Sequence, residues 1–337
     1  MKKYYLLPLF VFFLTISFSQ KKKNASEELK SSDLTGLKFR SVGPAFMSGR
    51  IADIAINPNN ENEWYVAVGS GGVWKTVNSG TTWNPISDDQ PFYSTGCITI
   101  DPHNSSKIWL GTGENVGGRH VGIGHGIYVS ENGGKNWKSM GLKNSEHISK
   151  IIVSPQDPNT VFVASQGPLW SPGGERGLYR TDNGGKTWKN VLSVNKWTGV
   201  TDIAIDHNNP NILYAATWQR HRTVAALMGG GPESGLHRSE DGGETWTELK
   251  SGLPNYAGKI GFTLSPQKPD VLYASIELEK RNGAVYKSED RGSSWKKMSD
   301  LSLGYGTGPH YYQELFASPH KFDRLYLMNV RILTSED

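Results

Sequence analysis

The sequence predicts an all-β chain, a β-propeller of four-stranded antiparallel blades. Three observations carry that prediction. A turn motif, Ser/Thr-x-Asp/Asn-x-Gly-x-x-Trp, occurs in full at residues 76–83, 130–137, 181–188, 239–246 and 288–295. Between the copies lies an alternating apolar strand that ends in a Pro/Asn-rich turn, as in Ile51-Ala52-Asp53-Ile54-Ala55-Ile56-Asn57-Pro58. Trp83, Trp137, Trp188, Trp246 and Trp295 are spaced by 54, 51, 58 and 49 residues, room for four short strands per period.

The chain opens on a secretory leader. Lys2 and Lys3 precede an apolar run, and Ser17-Phe18-Ser19 is a small-x-small cleavage signal, so residues 1–19 read as a signal peptide. The alternative, an uncleaved anchor, suffers from a run shorter than a spanning helix needs. No later stretch is apolar enough to span a bilayer. Residues 20–34 are polar and charged, a flexible linker. The propeller is expected over residues 35–337. Leu37-Lys38-Phe39-Arg40-Ser41-Val42 has strand alternation and is expected to supply the outer strand of the last blade, closing the ring.

Six inner strands are visible, beginning at Ile51, Cys97, Ile151, Asp202, Gly261 and Leu315. The sixth blade lacks its outer strand, because its turn motif starts at Ser335-Glu336-Asp337 where the sequence stops. The chain is therefore expected to be the N-terminal part of a longer protein.

Within the motif the residues have turn chemistry. Asn or Asp in a tight turn accepts backbone N–H groups, Gly two positions on supplies positive φ, and Trp buries an apolar face between blades. Asn78, Asn132, Asn183, Asp241 and Asp290, with Trp83, Trp137, Trp188, Trp246 and Trp295, are thus structural residues. A residue needed in every blade serves the blade and not one site.

Bulk properties exclude several functions. The single cysteine, Cys97, sits in an apolar run and is expected to be a buried thiol; it allows no intrachain disulfide. Without Lys2 and Lys3 the chain carries 34 basic and 32 acidic residues, a net +2, which gives no case for nucleic acid. His120 and His125 lie in a Gly-rich loop with no Cys or carboxylate at ligand spacing, so no metal is expected. Gly229-Gly230-Gly231 is followed by no Gly-Lys-Ser/Thr, so no phosphate loop and no cofactor is expected.

The copies resemble the Asp-box, or bacterial neuraminidase, repeat. The opening Phe39-Arg40-Ser41-Val42-Gly43-Pro44 and Gly71-Gly72-Val73-Trp74-Lys75-Thr76 resembles secreted bacterial sortilin-like propellers, often labelled glycosyl hydrolases. Such repeats occur in sialidases, xyloglucan-cleaving hydrolases, sortilin-type receptors and photosystem assembly factors. The resemblance implies the fold and leaves the activity open. Of the Arg-Ile-Pro motif of sialidases only Arg40 matches. Xyloglucan-cleaving propellers place a catalytic Asp before a Gly-Gly after the first B strand, and here Gly69 or Ser70 stands there. Their second carboxylate would lie beyond residue 337, while glycoside hydrolysis needs two.

The loops say where a ligand would go. In a four-strand meander the A–B and C–D turns fall on one face and the long B–C and D–A connections on the other. Residues 113–126, 166–177, 218–235, 252–259 and 302–313 are such connections, and irregular loops on a rigid scaffold carry function. Glu114, Arg119, His120, Trp170, Arg176, Trp218, Arg220, Arg222, His310 and Tyr311 are the candidate ligand-binding residues, read as exposed aromatics and charges suited to a sugar or a peptide. The expected function is a secreted or cell-surface binding or assembly module for a peptide, protein or polysaccharide. The alternative is a secreted glycoside hydrolase with its acids partly outside this chain.

Overall fold

Apolar runs bury both faces of a strand between neighbouring blades, as Val161–Ser165 does throughout, and turns rich in left-handed residues fold each run back on its neighbour. The result is a series of small antiparallel sheets. The computed structural model describes residues 30–37, 49–279, 282–302, 308 and 310–336. The signal peptide, most of the linker and all but Leu37 of the expected closing strand lie outside these residues. The chain divides into two units, residues 1–46 and 47–337. In the first, Ser31–Leu34 form a short 3-10 turn, and Asp33 accepts the Lys30 N–H at 2.8 Å.

The second unit is a β-propeller of six blades. Blade 1 is β1 (Ile51–Ile56), β2 (Trp64–Val68), β3 (Gly72–Thr76) and β4 (Asn84–Pro85). Blade 2 is β5 (Thr95–Asp101), β6 (Asn104–Thr112), β7 (Ile127–Ser130) and β8 (Lys138–Ser139). Blade 3 is β9 (Ile148–Val153), β10 (Val161–Ser165), β11 (Gly177–Thr181) and β12 (Lys189–Leu192). Blade 4 is β13 (Thr198–Ile205), β14 (Leu213–Gln219), β17 (Gly235–Ser239) and β18 (Thr247–Leu249), with a side hairpin of β15 (His221–Arg222) and β16 (Leu227–Met228). Blade 5 is β19 (Ile260–Leu264), β20 (Leu272–Leu278), β21 (Asn282–Ser288) and β22 (Lys296–Ser302). Blade 6 has three described strands, β23 (Glu314–Ala317), β24 (Leu325–Met328) and β25 (Ile332–Ser335).

The recurring turns are built alike. In blade 3 the Thr181 hydroxyl donates to Asn183 Oδ1 at 2.9 Å and accepts the Gly185 N–H at 3.0 Å, while Asn183 Oδ1 also accepts the Thr187 N–H at 3.0 Å. Ser239, Asp241, Gly243 and Thr245 repeat these bonds in blade 4. Gly185 and Gly243 sit at φ 86° and 89°, where a side chain would be strained.

Each hydrophobic cluster lies between two blades, not inside one. Val161 and Val163 of blade 3 share a cluster with Trp109 and Ile127 of blade 2. Trp188 packs on that cluster, edge-on to Trp109 at 6.4 Å, and its Nε1 donates to Met140 O at 2.7 Å. Trp137, Trp246 and Trp295 take the same place in their own inter-blade clusters. Trp83 differs: it is 36% exposed and sits edge-on to Trp64 of its own blade, because no blade precedes it among the described residues.

Inner strands of successive blades pack side by side. Bulges at the same level of β1, β5, β9 and β13 give Asp53, Cys97, Lys150 and Asp202 equivalent positions in their blades. Asp53 accepts the Ile98 N–H of the next blade at 2.9 Å, and Thr99 donates to Ile151 O at 2.8 Å. Cys97 is buried and free, and burial pushes its thiol pKa well up.

Candidate functional site

The long connections meet at one end of the axis, and their meeting point is a four-residue segment of blade 2. Residues 114–117 follow Gly113, whose φ of 83° turns the chain inward after β6. Every carbonyl of this segment is captured by a side chain from another blade. His147 Nδ1 lies 2.9 Å from Glu114 O. Lys259 donates to Asn115 O at 3.0 Å, and Gln166 Nε2 to the same oxygen at 3.3 Å. Arg220 donates to Val116 O at 2.9 Å and Arg222 to Gly117 O at 3.0 Å. The Glu114 carboxylate takes Arg50 Nε on one oxygen and Nη2 at 2.7 Å on the other, and accepts the Tyr312 hydroxyl at 2.9 Å. Arg50 leads into blade 1 and Tyr312 into blade 6. Residues 114–117 therefore form a plug of blade 2 held from the five other blades.

The electrostatics of the plug follow from burial. Arg220 and Lys259 are buried without a carboxylate in ion-pair contact among the described residues; carbonyl dipoles take that place. Burial lowers the Lys259 pKa to about 8 and that of Arg220 well below its usual value. His147 is held neutral chiefly by burial, with Arg220 adding to the effect. Below the plug, Lys150, Asp202 and Glu314 line both a small recess against Asn115 and Tyr312 and a larger one of about 420 Å³ toward the A–B turns. Burial raises Asp53 and Asp202 to about 6 each, against the opposing pull of Lys150.

The ten candidate residues divide into two groups. Arg119, His120, Trp170, His310 and Tyr311 are exposed, Trp170 and Tyr311 at 41% each. Glu114, Arg176, Trp218, Arg220 and Arg222 were expected to be exposed and are buried. The reason is the plug: a loop crossing the axis carries backbone carbonyls out of water, and only buried donors can satisfy them. Arg176 does the same for a neighbouring loop, donating to Gln166 O at 2.7 Å, Ser171 O at 2.8 Å and Pro168 O. Trp218 fills the space beneath, with Nε1 donating to Gly229 O at 2.8 Å and Arg220 and Lys259 over its ring.

Sequence reasoning missed Arg50, His147, Gln166 and Lys259, and read Tyr312 only as a loop aromatic. Each stands one or two residues outside a strand, a position that brings it to the plug. The structure also explains Gly69. A Cβ there would lie 2.9 Å from the Glu114 carboxyl and 3.2 Å from the Tyr312 hydroxyl. Gly69 is one of the two residues, with Ser70, at the expected position of a catalytic Asp, and the space beside it is filled by a carboxylate delivered from blade 2.

No family model matches the chain. A xyloglucanase from Hypocrea jecorina is 28% identical over 258 residues, covering 66% of this chain and 28% of that protein. A Paenibacillus xyloglucanase is 25% identical over 291 residues, covering 74% and 27%. Sortilin from Danio rerio is 23% identical over 313 residues, covering 90% and 33%. The chain thus spans about a quarter to a third of the length of these curated relatives. Among solved structures, the GH74 xyloglucanase from Xanthomonas campestris superposes with a TM-score of 0.64 at 16% identity, over 85% of this chain and 45% of that one. The GH74 enzyme from Niastella koreensis gives 0.64 at 18% identity, over the same shares. The chain is a β-propeller similar in sequence to xyloglucanases and sortilin, and similar in fold to the propellers of GH74 enzymes.

Proposed function

We propose that this chain is a secreted carbohydrate-active propeller, of the kind found in glycoside hydrolases, that seats a polysaccharide on its loop face. The similarity to several xyloglucanases favours a glycan over a peptide or protein ligand. The exposed Trp170 and Tyr311 rings beside the rigid plug suit the apolar face of a sugar. The exposed members of the candidate set would touch ligand, and the buried members would hold the surface that it meets.

One observation favours holding over cleaving. Hydrolysis needs two carboxylates across the bond, one able to give a proton. At Gly69 there is none, and Glu114 beside it is buried and committed to Arg50 and Tyr312. On this reading residues 49–336 bind the glycan.

The test is calorimetry of the purified chain with xyloglucan oligosaccharides, in parallel with a reducing-end assay. Binding without release of new reducing ends is expected. Release of reducing ends that disappears in Glu114→Gln would transfer the assignment to a hydrolase with Glu114 as one of its acids. Absence of any glycan binding, with the chain shown to be folded, would remove the reading.

A further inference from the structure

Four cationic or imidazole side chains crowd the outer surface of the plug. Arg119 and His120 follow it directly in sequence. Arg222 comes from the side hairpin of blade 4, and His310 from the lead into blade 6. Arg222 Nη2 lies 2.9 Å from His310 Nε2, while its Nε holds Gly117 O. The His120 ring lies directly over Gly118 Cα, in the space that a side chain at 118 would fill. Arg119 uses one nitrogen on Val224 O at 3.0 Å. Among the described residues no carboxylate is in ion-pair contact with any of the four.

Like charges gathered without a counter-ion repel one another, and a surface that keeps them so is arranged for an anion. The donors left over support this. Arg222 donates to His310 Nε2, so the neutral imidazole carries its proton on Nδ1, and that N–H has no partner among the described residues. The remaining Arg119 N–H groups and the His120 ring nitrogens are likewise open. The Arg222 backbone N–H bonds Leu169 O at 3.0 Å, which sets Trp170 one residue away, and Tyr311 adjoins His310. Cations flanked by two exposed rings match a sugar bearing a negative substituent.

We propose that Arg119, His120, Arg222 and His310 form an anion subsite for an acidic polysaccharide, recognising a uronate carboxylate or a sulfate ester. This rests on the glycan-binding reading above and goes beyond it. A xyloglucan backbone is neutral, so the subsite would distinguish this propeller from one that binds only neutral chains.

The cluster also predicts how binding responds to pH. The His310 pKa is lowered by burial first, then by Arg222, His120 and Arg119. An anion bound there opposes the field of Arg222 and Arg119 and raises it. Binding then takes up protons and tightens as pH falls from 8 to 6, while a uronate stays ionised throughout.

The experiment measures the affinity of the full chain for three oligosaccharides of equal length: neutral, uronate-bearing and sulfated. Each is tested at two salt concentrations and at pH 6 and 8. The proposal expects at least one acidic oligosaccharide to bind about tenfold or more tightly than the neutral one, with the gain reduced by salt. Arg119→Ala and His310→Ala, both at exposed positions, should each bring the affinity for the acidic oligosaccharide down toward that for the neutral one. His310→Ala should also flatten the pH response. The uronate and sulfate arms identify which anion is read. Equal affinity for neutral and acidic chains would overturn the subsite while leaving glycan binding intact. Failure of all three oligosaccharides, or preference for an acidic peptide over them, would overturn both.

Discussion

The recurring turn and the plug solve the same problem in opposite ways. Both must satisfy backbone groups where the chain changes direction. The turn does so with its own neighbours: the Thr181 hydroxyl and the Asn183 amide reach no farther than Thr187. The plug does so with side chains from 20 to 144 residues away, Ser94 being the nearest in sequence and Lys259 the farthest. A local device can be copied into each blade, but a device assembled from six blades can exist only once. The difference places structural chemistry in the repeats and leaves individuality, and the surface for a ligand, to the plug.

The sharpest way to break this comparison is Arg220→Ala. Arg220 is fully buried and donates to both Val116 O and Gly167 O. Alanine leaves two buried carbonyls unpaired and a space the size of the side chain. Destabilisation of about 3–5 kcal/mol is expected, read from the urea midpoint at unchanged slope. Arg220→Lys should recover little, since one ammonium cannot reproduce a planar fork that reaches two loops. A variant of near-native stability would mean that the plug is not held from blade 4.

The same contrast explains what could be read from the sequence. Strand alternation and turn chemistry act within eight residues, so the inner strands, the turn residues and the loop face follow from them directly. Trp188 and Trp295 could be assigned to blade interfaces because one packing rule repeats in every blade. The burial of Arg220, Arg222 and Arg176 could not, because an arginine in a polar loop looks the same whether it meets water or a carbonyl. Lys259 and Tyr312 show no periodicity at all; only closing the array of blades brings them to Asn115 and Glu114. Gly69 was legible as a departure from the xyloglucanase pattern, but its cause, a carboxylate arriving from residue 114, was not.

Trp188→Ala tests the repeated side of the comparison. The ring is half-buried, packed edge-on against Trp109 and tied to Met140 O. A loss of about 2–3 kcal/mol is expected, below that of a fully buried tryptophan. Trp83→Ala, at the more exposed ring, should cost about 1 kcal/mol or less in the same urea titration. Equal losses at the two positions would show that inter-blade packing is not what the motif tryptophan supplies.

The plug and the inner ring beneath it should also titrate in opposite senses. Burial raises Asp202 to about 6, above its unfolded value, so between about pH 4 and 6 the native state holds the extra proton. Its penalty is present above pH 6 and is relieved as pH falls. His147 is lowered, so below about pH 6.5 the unfolded state holds the extra proton and the plug weakens as pH falls. Asp202→Asn should therefore be the more stable relative to wild type at pH 7, by about 1–2 kcal/mol, with the difference shrinking toward pH 4.5. His147→Gln should show the converse, narrowing its deficit as pH falls. Parallel curves for wild type and both variants would remove the titration of these groups from the stability balance.

The smallest effects separate the two regions most cleanly. Asn183→Ala removes the acceptor for the Thr187 N–H and the partner of two hydroxyls at an exposed turn, and should cost about 1 kcal/mol. Asn183→Asp should cost little, because Asp241 and Asp290 occupy the same position in other blades with their carboxylates held below the usual range by the Thr245 and Ser294 hydroxyls. Asn132→Ala should repeat the Asn183→Ala loss, since Asn132 Oδ1 accepts the Asn136 N–H in the same way. The double variant then decides the matter. Two turns in separate blades share no partner, so their losses should add to within about 0.5 kcal/mol. Arg220→Ala combined with Lys259→Met should not add, because Arg220 and Lys259 hold adjacent carbonyls of one segment and losing either frees the other's acceptor. A coupling of about 1–2 kcal/mol is expected there. Additivity in both pairs would mean that the plug is a set of independent contacts, and coupling in both would mean that the turns communicate through the blades.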